Sequence, residues 1–326
     1  MATHAITGLH HVTALAGQPQ QNLDFYVGVL GLRLVKRTVN FDAPDTYHFY
    51  YGDRTGQPGS IMTFFPFRGM GPGRIGASQL STTAFSIPTA SLAFWQQRLT
   101  RFGVAVEGPF ERWSETVLRF RDWDGLSLEL VATDADDRPG HAQGDIPAAH
   151  SIRGFYGVTL LVRRPEPTVR VLTDLLDHRQ EAESSDRVRL SVSGQPGQWI
   201  DVQHDAQAQP GLQGAGTVHH VAFRTPDDDT QLQLLDALQQ RGLYPSPVMD
   251  RQYFHSVYFR EPNGILFEIA TDPPGFLLDE AEADLGRGLK LAPWQEPQRA
   301  QIEALLAEID LDRAMQLQPA HGEGAP

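Results

Sequence analysis

Four stretches of the chain repeat one pattern of hydrophobic and polar positions. Each begins with a short apolar strand, at residues 9–13, 81–85, 155–159 and 218–222. In the segment that follows, apolar residues recur every three or four positions, which is typical of an amphipathic helix. These apolar stripes are Leu23, Tyr26, Val27 and Leu30, then Leu92, Trp95, Leu99 and Phe102, then Val169, Leu172 and Leu176, and finally Leu232, Leu235 and Leu238. Three of the helices are predicted to end at a glycine: Gly31, Gly103 and Gly242.

Short alternating strands follow each helix, and the last of them is the most distinct, at residues 60–64, 126–130, 199–202 and 265–269. The sequence therefore predicts an α+β protein of four βαβββ modules, which form two curved mixed sheets. We expect a first half at residues 5–135 with modules 1 and 2, and a second half at residues 153–275 with modules 3 and 4. Residues 132–152 predict a linker, and residues 276–326 a C-terminal helical tail with a helix at 293–309 and an irregular end at 318–326.

The first and fourth modules both open with a His-His-Val motif, which contains His10 and His11 in one and His219 and His220 in the other. Successive side chains of a strand point to opposite faces of the sheet. The bulky Val221 suits a face that is covered by a helix. We therefore expect His11 and His220 on the concave face, and their neighbours His10 and His219 on the opposite face.

Glu268 lies in the last strand of the fourth module, where the same alternation turns it toward the concave face. A buried carboxylate is costly unless something compensates its charge, and a cation would do so. If the first and fourth modules share one sheet, they bring together His11, His220 and Glu268, with Thr63 as a non-ligand. Two imidazoles and one carboxylate form the facial triad of non-haem Fe(II) oxygenases, which leaves about three positions open on an octahedral metal.

The other pairings of modules collect fewer ligands. The middle modules offer no histidine, because their concave positions are Thr83, Gly157, Glu129 and Asp201. Pairing the first module with the second, or the third with the fourth, offers a single histidine each time. The sequence therefore predicts a metal cup built from modules 1 and 4. It also predicts a second cup without a site, in which Glu129 acts as a cap or pairs with a surface cation.

Composition limits the classes of function. The net charge of -13 at pH 7 repels nucleic-acid phosphates and anionic membranes, so we expect neither as a partner. The absence of cysteine excludes disulfides, thiolate metal sites and a cysteine nucleophile. No apolar run approaches the roughly 20 residues that span a bilayer, and residues 1–7 lack the regions of a signal peptide. We expect a cytoplasmic protein, and whether it forms a homo-oligomer is open.

Several motifs resemble the vicinal oxygen chelate superfamily, also called the glyoxalase/bleomycin-resistance/dioxygenase superfamily. They are GLHHVT at residues 8–13, NLDFY at 22–26 with LGL at 30–32, VKRTVNFD at 35–42, HHVAF at 219–223 and REPNGILFE at 260–268. Within that superfamily, the chain is similar to the MhqO-like and PcpA-like ring-cleaving dioxygenases that act on hydroquinones. The resemblance covers nearly the whole chain and implies the vicinal oxygen chelate fold, with Fe(II) held by His11, His220 and Glu268.

The resemblance also implies roles for side chains around the metal. The matching positions, which contact either substrate or ligands in that group, are His10, Thr13, His219, Arg251 and Tyr258. We expect catalytic roles for His10, His219, Arg251 and Tyr258, and substrate contacts for Thr13, Arg251, Tyr258 and His255. Tyr258 could donate a hydrogen bond to a developing oxyanion, and Arg251 could pair with one. His10 and His219 either orient the ligand strands or, where a strand is irregular, reach the substrate as acid or base.

The predicted function is that of a non-haem Fe(II)-dependent, extradiol-type dioxygenase, which opens a hydroquinone or catechol-like ring with O2. Mn(II) suits the same ligands, and other divalent metals can occupy such a site in a purified sample. One alternative is a glyoxalase-type isomerase or lyase, which usually has a carboxylate or amide ligand where this chain has Thr63. The other is a non-catalytic small-molecule-binding protein, which would not need three converging ligands. Whether the two ring hydroxyls are ortho or para is open.

Overall fold

The computed structural model describes residues 5–319, which form sixteen strands and six α-helices. The strands are β1 (Gly8–Ala16), β2 (Arg33–Asn40), β3 (Ala43–Gly52), β4 (Ile61–Pro66), β5 (Gln79–Ile87), β6 (Val106–Arg112), β7 (Glu115–Arg121), β8 (Ser127–Ala132), β9 (Gly154–Val162), β10 (Arg179–Glu183), β11 (Arg187–Ser191), β12 (Trp199–His204), β13 (Thr217–Thr225), β14 (Met249–Asp250), β15 (Phe254–Arg260) and β16 (Leu266–Pro274). The helices are α1 (Pro19–Leu23), which continues as a π-helix at Asp24–Val29, α2 (Leu92–Arg101), α3 (Pro165–Asp174), α4 (Asp228–Gln240), α5 (Arg299–Leu305) and α6 (Leu311–Met315). In this part of the chain, none of the helices combines the length and apolarity needed to cross a bilayer.

The strands form two eight-stranded mixed sheets, in the orders β14-β15-β16-β13-β1-β4-β3-β2 and β10-β11-β12-β9-β5-β8-β7-β6. In the first sheet, β1 of module 1 pairs antiparallel with β13 of module 4, and each has a parallel neighbour, β4 or β16. The second sheet repeats this arrangement with modules 2 and 3. The predicted α+β fold is confirmed, including the sharing of one sheet by the first and last modules. Because both sheets cross the boundary between sequence halves, the division into residues 5–135 and 153–275 stays a prediction.

Helix α4 begins at a capping residue that the sequence supplies, but its buried face differs from the predicted apolar stripe. Asp227 caps the helix by accepting a hydrogen bond from the backbone N–H of Thr230 at 2.8 Å. Leu232, which the 3.6-residue pattern placed in the core, is 50% exposed. Gln231 is buried instead, because its amide donates to the backbone carbonyls of His255 and Ile269. Satisfying those strand carbonyls rotates the helix away from the simple apolar stripe.

The first predicted helix is interrupted by a π-helix. The α-helical hydrogen-bond pattern ends at Leu23, and the wider turn of Asp24–Val29 follows. Arg98 of α2 is buried there and donates to the carbonyls of Gly28 and Val29, at 2.7 Å each. The irregular turn is thereby joined to module 2, which the apolar spacing alone did not indicate.

The C-terminal tail packs on module 1 instead of extending from it. The predicted helix at residues 293–309 is shorter in the structure, where α5 ends at Leu305, and α6 follows as a separate helix. The tail is anchored by Lys36 of β2, which is fully buried and donates to Asp279, at 2.5 Å, and to Glu280. Residues 318 and 319 have no regular structure, and the rest of the predicted irregular end, residues 320–326, lies outside the described residues.

The concave face of the second sheet is filled by ion pairs. Arg112 and Arg119 both donate to Glu129, which is fully buried. Beside them, Arg189 donates to Asp201 at 2.7 Å and 3.0 Å. Beneath these pairs the space left is a cavity of ≈ 10 Å³, too small for a ligand, and a more open cavity of ≈ 300 Å³ lies outside them. Glu129 does pair with cations, as expected, but they do not lie on the open surface, because the side chains of Arg112 and Arg119 are 13% and 36% exposed.

The prediction that Thr83 lies on the concave face of the second sheet is wrong by one residue. Ser81 is an extra residue in β5 at a register shift of the β5–β9 pair, so the alternation of side chains slips there. As a result, Ala84 faces the concave side, while Thr83 pairs with Val158 on the core side. The conclusion that modules 2 and 3 provide no histidine is unchanged, because Thr82 takes the place of Thr83.

Candidate metal centre

Two β-bulges position the histidine pairs of the first sheet. His10 is an extra residue in β1 and His219 an extra residue in β13, each at a register shift of the β1–β13 pair. A bulge interrupts the alternation of side chains, so adjacent residues no longer point to opposite faces. The rings of His10 and His11 both contact Phe254, and His219 and His220 both line one cavity. The opposite face that strict alternation predicted for His10 and His219 is therefore wrong, and the strand irregularity considered as the alternative is present.

The structure brings the three predicted metal ligands together on the concave face of the first sheet. Nε2 of His11 lies 3.2 Å from Nε2 of His220 and 3.3 Å from Oε2 of Glu268. Nε2 of His220 lies 2.9 Å from Oε2 of Glu268. The three side chains are buried, with residue exposures of 2%, 5% and 0%. Within residues 5–319, they are the one group of His, Asp or Glu side chains with this convergence. Adjacent ligand atoms on an octahedral ion are roughly 3 Å apart at metal–ligand distances of about 2.1 Å, which these separations match.

The carboxylate of Glu268 has a charge that the described residues leave only partly satisfied. Oε1 accepts a hydrogen bond from the buried hydroxyl of Ser256. Oε2 accepts no hydrogen bond, although it is sealed from solvent and lies beside the two imidazoles. Burial would raise the pKa of Glu268, but the neighbouring His11 and His220 outweigh it and hold the pKa well below its usual range. A buried, ionised oxygen without a hydrogen bond between two imidazole nitrogens fits a divalent cation.

The hydrogen bonds of His10 determine which ring nitrogen of His11 carries the proton. Nε2 of His10 lies 3.2 Å from the backbone carbonyl of Thr271, which can only accept, so this nitrogen carries the proton. Burial lowers the pKa of His10 well below its usual value, so the ring is neutral and its Nδ1 accepts. Nδ1 of His11, at 2.9 Å, is therefore the donor. The lone pair of His11 Nε2 is left free to bind a metal, an arrangement typical of metal-bound histidine.

His219 repeats this arrangement at His220, with one difference. Its Nδ1 lies 2.8 Å from Nδ1 of His220. When Nε2 of His220 binds the metal, His220 donates from Nδ1, and the proton of His219 is placed on Nε2. Burial lowers the pKa of His219 to about 3, so the ring is neutral at pH 7. While Nε2 of His10 is bound to a carbonyl, that of His219 has no hydrogen-bond partner among the described residues, and the ring lines the cavity.

A cavity of ≈ 340 Å³ opens above the two histidine ligands. Most of its wall is apolar or aromatic, formed by Leu15, Phe41, Tyr50, Phe65, Phe67, Phe254, Tyr258 and Leu266. Its polar groups, apart from His11 and His220, are Asn40, Asp42, His48, His219 and Arg251. An aromatic cavity with a few polar groups near a metal site suits a small aromatic ligand.

Arg251 and Tyr258 lie beside the histidine ligands. The ring of Tyr258 is 5.6 Å from that of His220, and its hydroxyl oxygen accepts a hydrogen bond from Arg251 Nε at 3.1 Å. Arg251 also lies 3.7 Å from Asp42 of module 1, across the mouth of the cavity. Burial raises the pKa of Tyr258 and outweighs the opposing effect of Arg251, so the phenol keeps its proton and can donate it in a hydrogen bond.

Thr13 and His48 form a chain with Thr63 at the other side of the cavity floor. Thr13 is fully buried and does not itself line the cavity; its Oγ1 lies 2.9 Å from Oγ1 of Thr63. His48 does line the cavity, with its Nε2 2.8 Å from Oγ1 of Thr63. His48 was not among the predicted site residues. Its place two residues before the inward-facing Tyr50 was the one available signal, because such residues share a strand face.

His255, which was predicted to contact substrate, does not lie in the cavity. It is next to Ser256 in β15 and points to the other face, where its Nδ1 lies 2.6 Å from Asp228 of α4. Its side chain is 37% exposed. The structure therefore does not bring His255 to the metal centre, since strand alternation holds through this part of β15.

A family model matches most of the chain, in two segments. It is described as Glyoxalase/Bleomycin resistance protein/Dioxygenase superfamily, and it matches residues 8–130 and 155–269. Both segments end at or just after the carboxylates that occupy equivalent places in the two sheets, Glu129 and Glu268. The match thus follows the duplicated module pattern.

Similar proteins are known by sequence and by structure. The chain is 46% identical over 302 residues to MhqE of Bacillus subtilis (strain 168), provisionally named a ring-cleaving dioxygenase, covering 93% of this chain and 99% of that protein. It is 34% identical to a chlorohydroquinone/hydroquinone 1,2-dioxygenase of Sphingobium indicum, covering 89% and 93% of the two chains. The crystal structure of a provisionally named dioxygenase from Bacillus subtilis subsp. subtilis str. 168 superimposes with a TM-score of 0.91 at 42% identity, covering 95% and 99%.

Proposed function

This chain belongs to the Glyoxalase/Bleomycin resistance protein/Dioxygenase superfamily, and from that premise we propose that it is a non-haem Fe(II)-dependent, extradiol-type dioxygenase. Its substrates would be O2 and a hydroquinone or catechol-like ring. Ring opening would insert both atoms of O2, and the electron-rich diol itself supplies the electrons, so no separate reductant is needed. The names of the relatives, which refer to ring cleavage and to hydroquinone, support this reaction class.

The observation that carries the proposal is a triad of buried ligands beneath an aromatic cavity. His11, His220 and Glu268 converge within 3.3 Å of one another and hold at most half of an octahedral coordination sphere. When bound, Fe(II) supplies open coordination positions and one-electron chemistry toward O2. The same donors accept Mn(II), and the proposal of Fe(II) rests on the facial-triad chemistry.

The surrounding residues would bind and orient the ring and control its protons. The hydroxyl of Tyr258, held by Arg251, lies where it can donate a hydrogen bond to a ring oxygen that carries negative charge. The positive charge of Arg251 favours the deprotonated ring oxygen. His219 presents an N–H to the cavity and is placed to donate a hydrogen bond to a substrate oxygen, whereas His10 acts by fixing the tautomer of His11.

A glyoxalase-type isomerase is the less favoured function. Such an enzyme usually has a fourth protein ligand, and the place of that ligand in module 1 is taken by Thr63. The Thr63 hydroxyl is engaged by Thr13 at 2.9 Å and by His48 at 2.8 Å. A neutral hydroxyl with two hydrogen bonds is a poor competitor for a divalent metal, which favours open positions at the metal over isomerase chemistry.

The proposal is tested by loading the protein with Fe(II) under anaerobic conditions and adding O2 with methylhydroquinone, catechol or a methylglyoxal–thiol adduct in parallel. We expect oxygen uptake with a diol and none with the adduct. His11→Ala should lose metal content and oxygen uptake together, while His255→Ala, which changes a histidine on the outer face of the same sheet, should keep both. Full metal content and uptake in His11→Ala, or turnover of the adduct alone, would contradict the proposal.

A further inference from the structure

The two modules of the metal cup use equivalent positions for different purposes. In module 4, Ser256 of β15 donates a hydrogen bond to Glu268 of β16. Strand pairing puts His48 of β3 and Thr63 of β4 in the corresponding places of module 1, and these two side chains also contact each other. Module 4 therefore supplies a metal ligand at this level of the sheet. Module 1 supplies a hydroxyl and an imidazole that no metal ligand requires.

His48 is held by its surroundings at one nitrogen and leaves the other available. Its ring lies between those of Tyr50 and Phe65, with centroid distances of 4.0 Å and 4.3 Å. Nε2 contacts Thr63, whose hydroxyl continues to Thr13. Nδ1 makes no hydrogen bond within residues 5–319, yet it is not sealed from solvent, and the ring lines the cavity. The open nitrogen is thus a polar group in an otherwise aromatic part of the wall.

The chain from Thr13 to His48 can present either a donor or an acceptor to the cavity. If Thr63 donates to Nε2, the imidazole proton is on Nδ1; if Nε2 donates to Thr63, Nδ1 is an acceptor. Burial lowers the pKa of His48 well below its usual value, so the ring is neutral, with one N–H. A phenolic hydroxyl both donates and accepts, so it suits either arrangement.

The register of the sheet places this group away from the metal ligands. His220 of β13, Thr13 of β1 and Thr63 of β4 are in register across three adjacent strands. Two strand spacings, roughly 10 Å, therefore separate the backbone of His220 from that of Thr63. The polar groups near the metal, Tyr258 and His219, are on the side of His220. A ring with one oxygen at the metal would extend over Thr13 toward His48.

We propose that His48 binds the ring hydroxyl that points away from the metal, and so makes the cavity select aromatic rings with a polar group opposite the metal-bound oxygen. The inference rests on the proposed function, because it assumes a ring bound through one oxygen. An ortho diol places both oxygens near the metal and leaves the open nitrogen of His48 without a partner. A ligand that covers this nitrogen without pairing with it takes the nitrogen away from water, so the site discriminates against such a ligand.

Anaerobic calorimetric titration of the Fe(II)-loaded protein with hydroquinone and with phenol tests this role without turnover. The two probes differ only in the distal hydroxyl. Wild-type protein should bind hydroquinone about tenfold more tightly, beyond the statistical advantage of its two equivalent hydroxyls. His48→Phe keeps a ring between Tyr50 and Phe65 and should remove this preference while phenol affinity stays the same. His48→Asn, which returns an amide near the place of Nδ1, should restore most of it.

A matched control is His150→Phe in the segment between β8 and β9. His150 also stacks on an aromatic ring, that of Phe94 at 4.5 Å, and its Nδ1 lies 3.0 Å from the Ser91 hydroxyl, but it is outside the cavity. This variant should keep the preference for hydroquinone. The inference is overturned if His48→Phe keeps the preference, or if it loses phenol and hydroquinone affinity equally, as a purely structural role would require. Equal binding of both probes by wild-type protein would overturn it even if His48→Phe did not fold.

Oxygen uptake, measured separately, distinguishes this inference from the proposed function. If binding depends on His48 as expected but no diol supports oxygen uptake, the proposed function fails and His48 stands as a ligand-binding residue. If diols support uptake but the hydroquinone preference is independent of His48, the reaction stands and the role of His48 is refuted.

Discussion

Replacing Ser256 with alanine should weaken metal binding without touching a metal ligand. Ser256 is fully buried, and its hydroxyl gives Glu268 the one hydrogen bond that the carboxylate accepts from residues 5–319. Without it, the carboxylate can rotate away from His11 and His220. Removing a side chain that orients a metal ligand typically costs 10- to 100-fold in metal affinity, or about 1.4 to 2.8 kcal/mol. We expect a loss in that range for Ser256→Ala.

The assay is competition for Fe(II), Mn(II) or Zn(II) between the protein and a chelator of known affinity. The control is Ser127→Ala in β8 of the second sheet. Ser127 is also buried, and its hydroxyl lies 3.2 Å from that of Thr82, so its removal costs a comparable buried hydrogen bond far from the triad. Ser127→Ala should leave metal affinity unchanged. If Ser256→Ala folds normally and binds metal as tightly as wild type, or more tightly, the carboxylate is oriented by packing alone and the reasoning is refuted.

Two further predictions concern stability. Burial raises the pKa of Asp122, which accepts a hydrogen bond from Tyr26, to about 7 from 3.8, so the folded state holds its proton more tightly than the unfolded state. The free energy of unfolding should therefore decrease as the pH rises from about 4 to about 7, by on the order of 3 to 4 kcal/mol from this group. In urea unfolding at several pH values, Asp122→Asn should show a smaller decrease over this range. An equal decrease in both proteins would contradict the prediction. Lys36→Met leaves the buried Glu280 unpaired beside Asp279 and should cost about 3 to 5 kcal/mol. Adding Glu280→Gln should recover part of that cost, and a loss below about 1 kcal/mol would show that the tail is held by other contacts.

The sharing of one sheet by the first and fourth modules could be predicted because ligand chemistry is demanding. A buried Glu268 needs compensation, and the sequence offered two histidines at equivalent strand positions, in modules far apart in the chain. That requirement selected one pairing among several, and the structure has this pairing. The helical and strand periodicities were sufficient to predict the order of helices and strands, because each module repeats the same order.

The orientations of His10 and His219 could not be predicted, because they depend on β-bulges. A bulge leaves no mark in the alternation of side chains until the partner strand is known. The same reason explains the one-residue error at Thr83. His48 was missed because its chemistry comes from its neighbours: its contact with Thr63 joins strands β3 and β4, and its ring position depends on Tyr50 and Phe65.

The inward turn of Gln231 and the π-helix had tertiary causes as well. In α4, the amide of Gln231 is buried because it donates to two strand carbonyls, and the side chain of Leu232 is exposed instead. After Leu23, carbonyls of the wide turn were satisfied by Arg98 from another module. In both places, a hydrogen-bonding requirement outweighed the apolar spacing that the sequence displayed.

The order of the modules in the first sheet determines when a ribosome-bound chain can hold metal. His11 and His220 are 209 positions apart, and Glu268 follows later still. At roughly 5 to 20 residues per second, tens of seconds of synthesis or less separate the emergence of β1 from that of β13. During that time modules 2 and 3, which are adjacent in the chain, can complete their own sheet, while module 1 waits with an unpaired strand edge. Before β13 emerges, the chain offers a metal ion only one of the three proposed ligands, so the complete set exists only once translation has passed Glu268.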